Sequence, residues 1–129
     1  MAEVNAVTHR DHYRTHINTV NNSLTADEQI ANGGKGEGMG PEELLAASLA
    51  SCTSITLRMY ADRKGYDVEN IEVGVVMLRD KELNITNITR KITINGTLTD
   101  EDKKRMMTIA DSCPVHKILS NKIIINTEN

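Results

Sequence analysis

The chain contains only two cysteines, and they are its residues best suited to redox chemistry. Cys52 lies in an apolar helical run, and Cys113 opens the tetrapeptide CPVH directly after a charged helical stretch. The two are too far apart to form a CxxC motif, so they meet only if the fold brings them together. Such a pair suits a nucleophilic thiol and a resolving thiol, because a sulfenic acid on one sulfur condenses with the other.

A reactive Cys52 needs a cation nearby, because burial raises a thiol pKa above its usual value of about 8.5. Without such a partner, Cys52 would be an inert small hydrophobe in the core. The candidate cations lie near the first predicted turn: Arg10, Arg14, His9, His12 and His16. Glu42 starts the helix that carries Cys52, about 15 Å from it along the axis. Glu42 therefore cannot touch the thiol, but it could hold an arginine that does.

Two other site types find little support. Cys113 and His116 have CxxH spacing, and Cys52 could add a third zinc ligand, but a structural zinc site usually needs four ligands in two close pairs. The glycine-rich segment GGKGEGMG (33–40) lacks the P-loop pattern, because Lys35 is not followed by Ser or Thr. We therefore expect neither a metal nor another cofactor.

Composition indicates one small domain with an aliphatic core. The 129 residues include no Trp or Phe and only three Tyr, and aromatic residues make up 2% of the chain. Such a core often needs a partner subunit to complete burial. The net charge of −3 argues against nucleic acid or an anionic membrane as the main partner.

The first ten residues, MAEVNAVTHR, lack the basic and apolar regions of a signal peptide. The longest uncharged stretch, 44–57, is too short to cross a bilayer. We therefore expect a soluble cytoplasmic protein, in which two cysteines are more often free thiols or a catalytic pair than a structural disulfide.

The predicted helices and strands that position these residues follow an α+β order with no repeated βαβ unit. Alternation predicts three strands at 2–9, 12–20 and 23–32, followed by the glycine-rich loop. Gly40-Pro41-Glu42-Glu43 predicts a helix start, and Gly65 predicts its end after about Lys64. This helix is apolar nearly all round, so we expect it to be buried on most sides.

The second half predicts a long hairpin and a pair of helices. Strands are expected at 66–78 and 85–98, joined by a turn at 79–84. Thr99 then caps a helix whose Met106, Met107, Ile109 and Ala110 should face inward. CPVHKILSN predicts a short second helix, and KIIINTE (122–128) predicts a final strand.

The two cysteine segments resemble motifs of the OsmC/Ohr family of organic hydroperoxide reductases. GPEELLAASLASC is similar to the family's helix motif, whose cysteine is peroxidatic, and CPVH is similar to the element that carries the resolving cysteine. The resemblance thus implies that Cys52 is peroxidatic and that Cys113 is resolving. It also implies that Glu42 orients a catalytic arginine, which Arg10 of the Arg10-Asp11 dipeptide matches, with Arg14 as the fallback.

The resemblance implies a single OsmC-like domain over residues 1–129, with curved antiparallel sheets around long central helices. It further implies an intertwined homodimer with two active sites at the interface. The implied activity is cofactor-free reduction of organic hydroperoxides to alcohols, through a sulfenic acid and an intramolecular disulfide, with a dithiol reductant such as a lipoylated protein. An apolar pocket for the organic tail is expected at Leu45, Leu49, Met59 and Met107. The alternative is a module on the same fold that binds a small ligand or thiol, or senses redox state, without peroxidase turnover.

Overall fold

The computed structural model describes all 129 residues. The chain divides into two compact units, Met1–Leu45 and Ala46–Asn129, which are described in turn. The helix that carries Cys52 begins in the first unit and continues into the second.

The first unit is built on a three-stranded antiparallel meander in the order β1 (Asn5–Thr8), β2 (Thr15–Asn18) and β3 (Ser23–Ala26). The meander was predicted from the sequence and is confirmed, although each strand is shorter than expected. The third strand stops at Ala26 rather than continuing to residue 32, and a single 3₁₀ turn occupies Ile30–Asn32.

Asp27 explains why the third strand ends where it does. Its carboxylate is buried and accepts backbone N–H bonds from Tyr13 (3.1 Å), Glu28 (2.8 Å) and Glu37 (3.1 Å). Local bonds of this kind replace a strand ladder with a turn. Asp27 therefore ties the β1–β2 connection to the glycine-rich loop.

The glycine-rich loop contributes close backbone packing. A Cβ at Gly38 would collide with the backbone of Thr25, and one at Gly34 would collide with the backbone of Glu28. Only glycine allows the loop to lie this close to the preceding strand and turn.

The long helix α1 (Pro41–Lys64) has the predicted ends. Glu43 accepts the backbone N–H of Gly40 (2.9 Å), and Gly65 has a φ of 70° just past the last turn. By length and composition alone α1 could cross a membrane, a test that core helices of soluble proteins also pass.

The second unit combines the rest of α1 with a hairpin and two short helices. Strands β4 (Asp67–Asp80) and β5 (Ile85–Thr97) pair antiparallel, with Val73 opposite Ile92 and Met77 opposite Ile88. Helix α2 (Asp100–Ile109), a 3₁₀ turn at Ala110–Ser112 and helix α3 (Pro114–Leu119) follow. The core contains Leu57, Tyr60, Ala61, Val68, Met106 and Ala110.

The predicted cap of α2 is confirmed, because the Thr99 hydroxyl accepts the backbone N–H of Asp102 at 3.1 Å. Met106 and Ala110 are buried as expected, and Ile109 is half-buried. The expectation for Met107 is wrong, since its side chain is 49% exposed. Ile109 and Ala110 lie within about 60° of Met106 on the helical wheel, whereas Met107 lies about 100° from it and so falls outside the buried face.

Two further expectations fail in the single chain. Residues 122–128 form no strand, and Ile123, Ile124 and Ile125 are exposed, because no neighbouring strand pairs with them. Helix α1 is buried along one face only, which leaves Ile55 54% and Met59 67% exposed.

Candidate active site

The fold of the second unit brings the two cysteines together. Cys52 lies half-buried on α1, and Cys113 lies fully buried between the 3₁₀ turn and α3. Both are free thiols, and they lie close enough for each to affect the acidity of the other. Two residues from distant parts of the sequence therefore form a dithiol pair.

The CPVH sequence holds Cys113 in a defined position. Pro114 occupies the start of α3, where its missing N–H costs nothing, and Cys113 is the residue that caps this helix. The Cys113 sulfur accepts the backbone N–H of His116 at 3.5 Å. The cap aims the sulfur away from solvent and toward α1.

The two thiols differ in acidity. Burial raises the pKa of Cys52, and its hydrogen bond to Cys113 raises that pKa further. Burial also acts to raise the pKa of Cys113, but hydrogen bonds from Cys52 and from the backbone N–H groups of His116 and Val115 outweigh it and lower that pKa. The acidity of each thiol therefore depends on the other, so the two cysteines titrate as a pair.

Arg90 is a site residue that the sequence reasoning missed. On β5 it takes a half-buried position in line with Ile88 and Ile92, and its side chain is only 13% exposed. Its guanidinium donates to the Thr53 hydroxyl (3.0 Å), the Ala110 carbonyl (3.2 Å) and the Asp111 carboxylate (2.8 Å). The sequence did contain a signal for Arg90, because it occupies a position where the alternation of the strand otherwise places an apolar residue.

A cavity of about 220 Å³ lies beside the dithiol segments. Its lining comprises Leu49, Ile88, Leu119, Thr86, Arg90, His116 and Ser120. Leu49 is nearly one helical turn before Cys52, and His116 is the residue whose N–H contacts Cys113. The cavity therefore offers an apolar wall and several polar groups close to the sulfurs.

The apolar pocket expected from the sequence is not the one that forms. Of its four expected residues, only Leu49 lines this cavity. Met59 borders a separate groove with Thr56 and Tyr60, and Met107 is half exposed. Leu45 belongs to the first unit.

The predicted arginine and glutamate both lie in the first unit, and they are not joined there. Arg10 and Glu42 are exposed, and no ion pair connects them. Arg14 instead pairs with Asp11 (3.1 Å) and Glu37 (3.4 Å). The roles of Arg10 and Glu42 stay predictions, as does that of the fallback Arg14.

No three His, Cys, Asp or Glu side chains converge in a way that could hold a metal ion. The zinc alternative built on Cys52, Cys113 and His116 thus gains no support from the arrangement of these side chains.

Solved structures with the same fold are found across bacteria. A Psychrobacter arcticus protein, named provisionally as an osmotic stress induced and detoxification response protein, is 29% identical, with a TM-score of 0.79 over 92% of this chain and 88% of that one. An OsmC-like protein from Mycoplasma pneumoniae is 20% identical, with a TM-score of 0.78 over 91% and 85% of the two chains. The organic hydroperoxide resistance protein OhrB of Bacillus subtilis is 23% identical, with a TM-score of 0.62 over 93% and 90%.

These likenesses confirm the predicted α+β class with its antiparallel sheets and helices. No curated protein sequence matches the chain significantly. The family model described as OsmC-like protein matches residues 34–128, a span that includes both cysteines, Arg90 and all the residues around the cavity. The chain therefore belongs to the OsmC-like protein family.

Proposed function

We propose that this protein is a thiol peroxidase that reduces organic hydroperoxides to alcohols through Cys52 and Cys113. The observation that carries the proposal is that two free thiols from distant parts of the sequence lie close enough to affect each other's acidity. Membership of the OsmC-like family supports a peroxide-related redox function, and related folds include proteins named for organic hydroperoxide resistance.

The proposed reaction has two steps. The Cys52 thiolate attacks the terminal oxygen of the peroxide and the O–O bond breaks. Cys52 becomes a sulfenic acid, and the departing alkoxide takes a proton from water and leaves as the alcohol. The Cys113 sulfur then attacks the Cys52 sulfur, releasing water and forming the intramolecular disulfide. An external dithiol, such as a lipoylated protein, reduces that disulfide and returns both thiols.

The neighbouring thiols suggest how Cys52 becomes nucleophilic. In the singly ionised pair one proton is shared between the Cys52 and Cys113 sulfurs. Transfer of this proton to Cys113 leaves a Cys52 thiolate at the moment of attack. Cys113 then holds the proton that it loses when the disulfide forms.

The cavity supports an organic substrate. Leu49, Ile88 and Leu119 give its wall apolar surface, which would favour a peroxide with a carbon tail over hydrogen peroxide. We further propose that Arg10 binds the peroxide and that Glu42 holds Arg10. That role requires an ion pair between them, which is absent from the isolated chain and would form with substrate or in the dimer.

Stopped-flow oxidation of the reduced protein tests the proposal. Cumene hydroperoxide should oxidise both thiols rapidly and stoichiometrically to one Cys52–Cys113 disulfide, and hydrogen peroxide should do so more slowly. Slow oxidation by both peroxides, with both thiols surviving, would remove the peroxidase assignment.

One observation favours a second candidate, a module that binds a ligand or thiol, or senses redox state, without turnover. The pKa of Cys52 is raised, whereas a peroxidatic thiol usually has a lowered one. A measured Cys52 pKa near or above about 8.5 would favour this candidate, and one well below about 7 would favour the peroxidase.

A further inference from the structure

Arg90 connects the two segments that carry the cysteines. One nitrogen, Nη1, donates both to the hydroxyl of Thr53, the neighbour of Cys52 on α1, and to the carbonyl of Ala110 in the turn before Cys113. The other, Nη2, donates to Asp111 in the same turn at 2.8 Å. A single guanidinium thus bridges α1 and the turn that leads into Cys113.

The acceptors around Arg90 are themselves held in place. The Thr53 side chain is completely buried, its hydroxyl donates to the Leu49 carbonyl at 2.7 Å, and it also contacts the Cys113 sulfur. Ala110 is 1% exposed and belongs to the core. Only Asp111 is largely exposed, with 68% of its side chain accessible. Arg90 therefore acts on rigid neighbours of both sulfurs.

Arginine is the side chain that this arrangement requires. Its planar fork presents several N–H donors in fixed directions, whereas the lysine ammonium is a point charge on a flexible stem. A lysine at position 90 could keep the pair with Asp111, but it could not also reproduce the planar contacts to Thr53 and Ala110.

We propose that Arg90 is a positioning residue that fixes the approach of Cys113 to Cys52 and thereby sets how readily the two thiols form a disulfide. Arg90 does so through Thr53 and Ala110, without contacting either sulfur. The inference concerns the dithiol pair itself, so it holds whether or not the protein turns over peroxides.

The test measures the equilibrium between the reduced protein and oxidised glutathione. In this exchange the two protein thiols become one disulfide, and one oxidised glutathione becomes two reduced molecules. Measurement at about pH 6, below the usual thiol pKa of about 8.5, reduces the contribution of changes in thiol acidity to the equilibrium. Arg90→Met should lower the equilibrium constant about tenfold, a shift of about 30 mV in the potential of the pair. Arg90→Lys should lie between this variant and the wild type.

Arg58 supplies a matched control. Arg58 lies in the part of α1 that belongs to the second unit. Its guanidinium donates to the backbone carbonyls of Val68 (3.0 Å) and Glu69 (3.4 Å). These bonds join α1 to β4 and do not involve either cysteine segment. Arg58→Met should therefore leave the glutathione equilibrium unchanged, even if it lowers thermal stability.

Circular dichroism establishes which variants fold. An unchanged equilibrium constant in folded Arg90→Met overturns the proposal, and so does an equal fall in Arg58→Met. If Arg90→Met does not fold, Arg90→Lys decides: a constant equal to that of the wild type overturns the positioning role, and a reduced one supports it. The peroxide assay is independent, so its failure would not affect this result.

Discussion

The proximity of Cys52 and Cys113 makes the acidity of each thiol depend on the other. Burial raises the pKa of Cys52, and the neighbouring Cys113 raises it further. Burial also acts to raise the pKa of Cys113, but Cys52 and the backbone N–H groups of His116 and Val115 lower it. Neither property belongs to the residue alone, since in isolation both thiols would titrate near the same pKa.

Replacing either cysteine should therefore change the pKa of the one that remains. The pKa changes in the two variants should have opposite signs. Cys52→Ala should raise the pKa of Cys113, because a donor to the thiolate is lost while burial remains. Cys113→Ala should lower the pKa of Cys52, because the acceptor and its negative charge are lost. Thiolate ultraviolet absorbance measured against pH reports both values. If the remaining thiol shifted its pKa in the same direction in both variants, the described dependence of the two thiols on each other would be contradicted.

The different roles proposed for Cys52 and Cys113 give a second prediction about individual residues. Cys52→Ser should abolish oxidation by cumene hydroperoxide, because no sulfur can attack. Cys113→Ser should allow one turnover and then leave Cys52 open to overoxidation, because nothing resolves the sulfenic acid. Single-turnover kinetics with mass spectrometry distinguish the two. Equal activity in both variants would contradict the scheme.

At the level of the secondary-structure elements, the carboxylate of Asp27 holds the glycine-rich loop against the meander. The lowered pKa of Asp27 reflects the backbone N–H of Glu37 first, helped by those of Tyr13 and Glu28 and opposed by burial. A carboxyl whose folded pKa lies below its unfolded value of about 3.9 stabilises the fold above that value. This stability is lost as the pH falls through the folded pKa.

Asp27→Asn should therefore lower the urea midpoint at about pH 7, where the native carboxylate is charged, and should flatten the fall in stability below about pH 4. Asp67→Asn is the control, because Asp67 is exposed and its side chain makes no hydrogen bond. Urea unfolding at several pH values measures both effects. If the stability of Asp27→Asn fell as steeply with decreasing pH as that of the wild type, the stabilising role of the Asp27 carboxylate would be contradicted.

At the scale of the whole molecule, apolar surface remains uncovered in the single chain. Ile124 is 72% and Ile125 is 85% exposed, and Ile55 and Met59 lie exposed on α1. Large exposed apolar groups of this kind usually mark an interface. They are the residues that the predicted homodimer would have to cover.

We expect the protein to sediment as a dimer, and Ile124→Lys to shift it toward monomer. Burying one isoleucine side chain contributes about 1.5–3 kcal/mol, so a lysine there should weaken association markedly. Asn126→Lys is the control, because it adds the same charge to the same segment without removing apolar surface. A wild-type monomer at micromolar concentration would contradict the homodimer.

Local sequence patterns specify the features that depend on near neighbours in the chain. The ends of α1, the cap at Thr99 and the β4–β5 hairpin follow from turn residues, caps and alternation, which act over a few positions. The two cysteine motifs, which are also short local patterns, are enough to indicate the family.

Tertiary structure decided the features that depend on partners distant in the chain. It placed Arg90 between the cysteine segments, placed Leu49 rather than Met59 in the wall of the cavity, and brought Cys113 next to Cys52. It also left 122–128 without strand pairing. These outcomes depend on which surfaces meet after folding, and periodicity along the chain specifies which face is apolar but not which partner covers it.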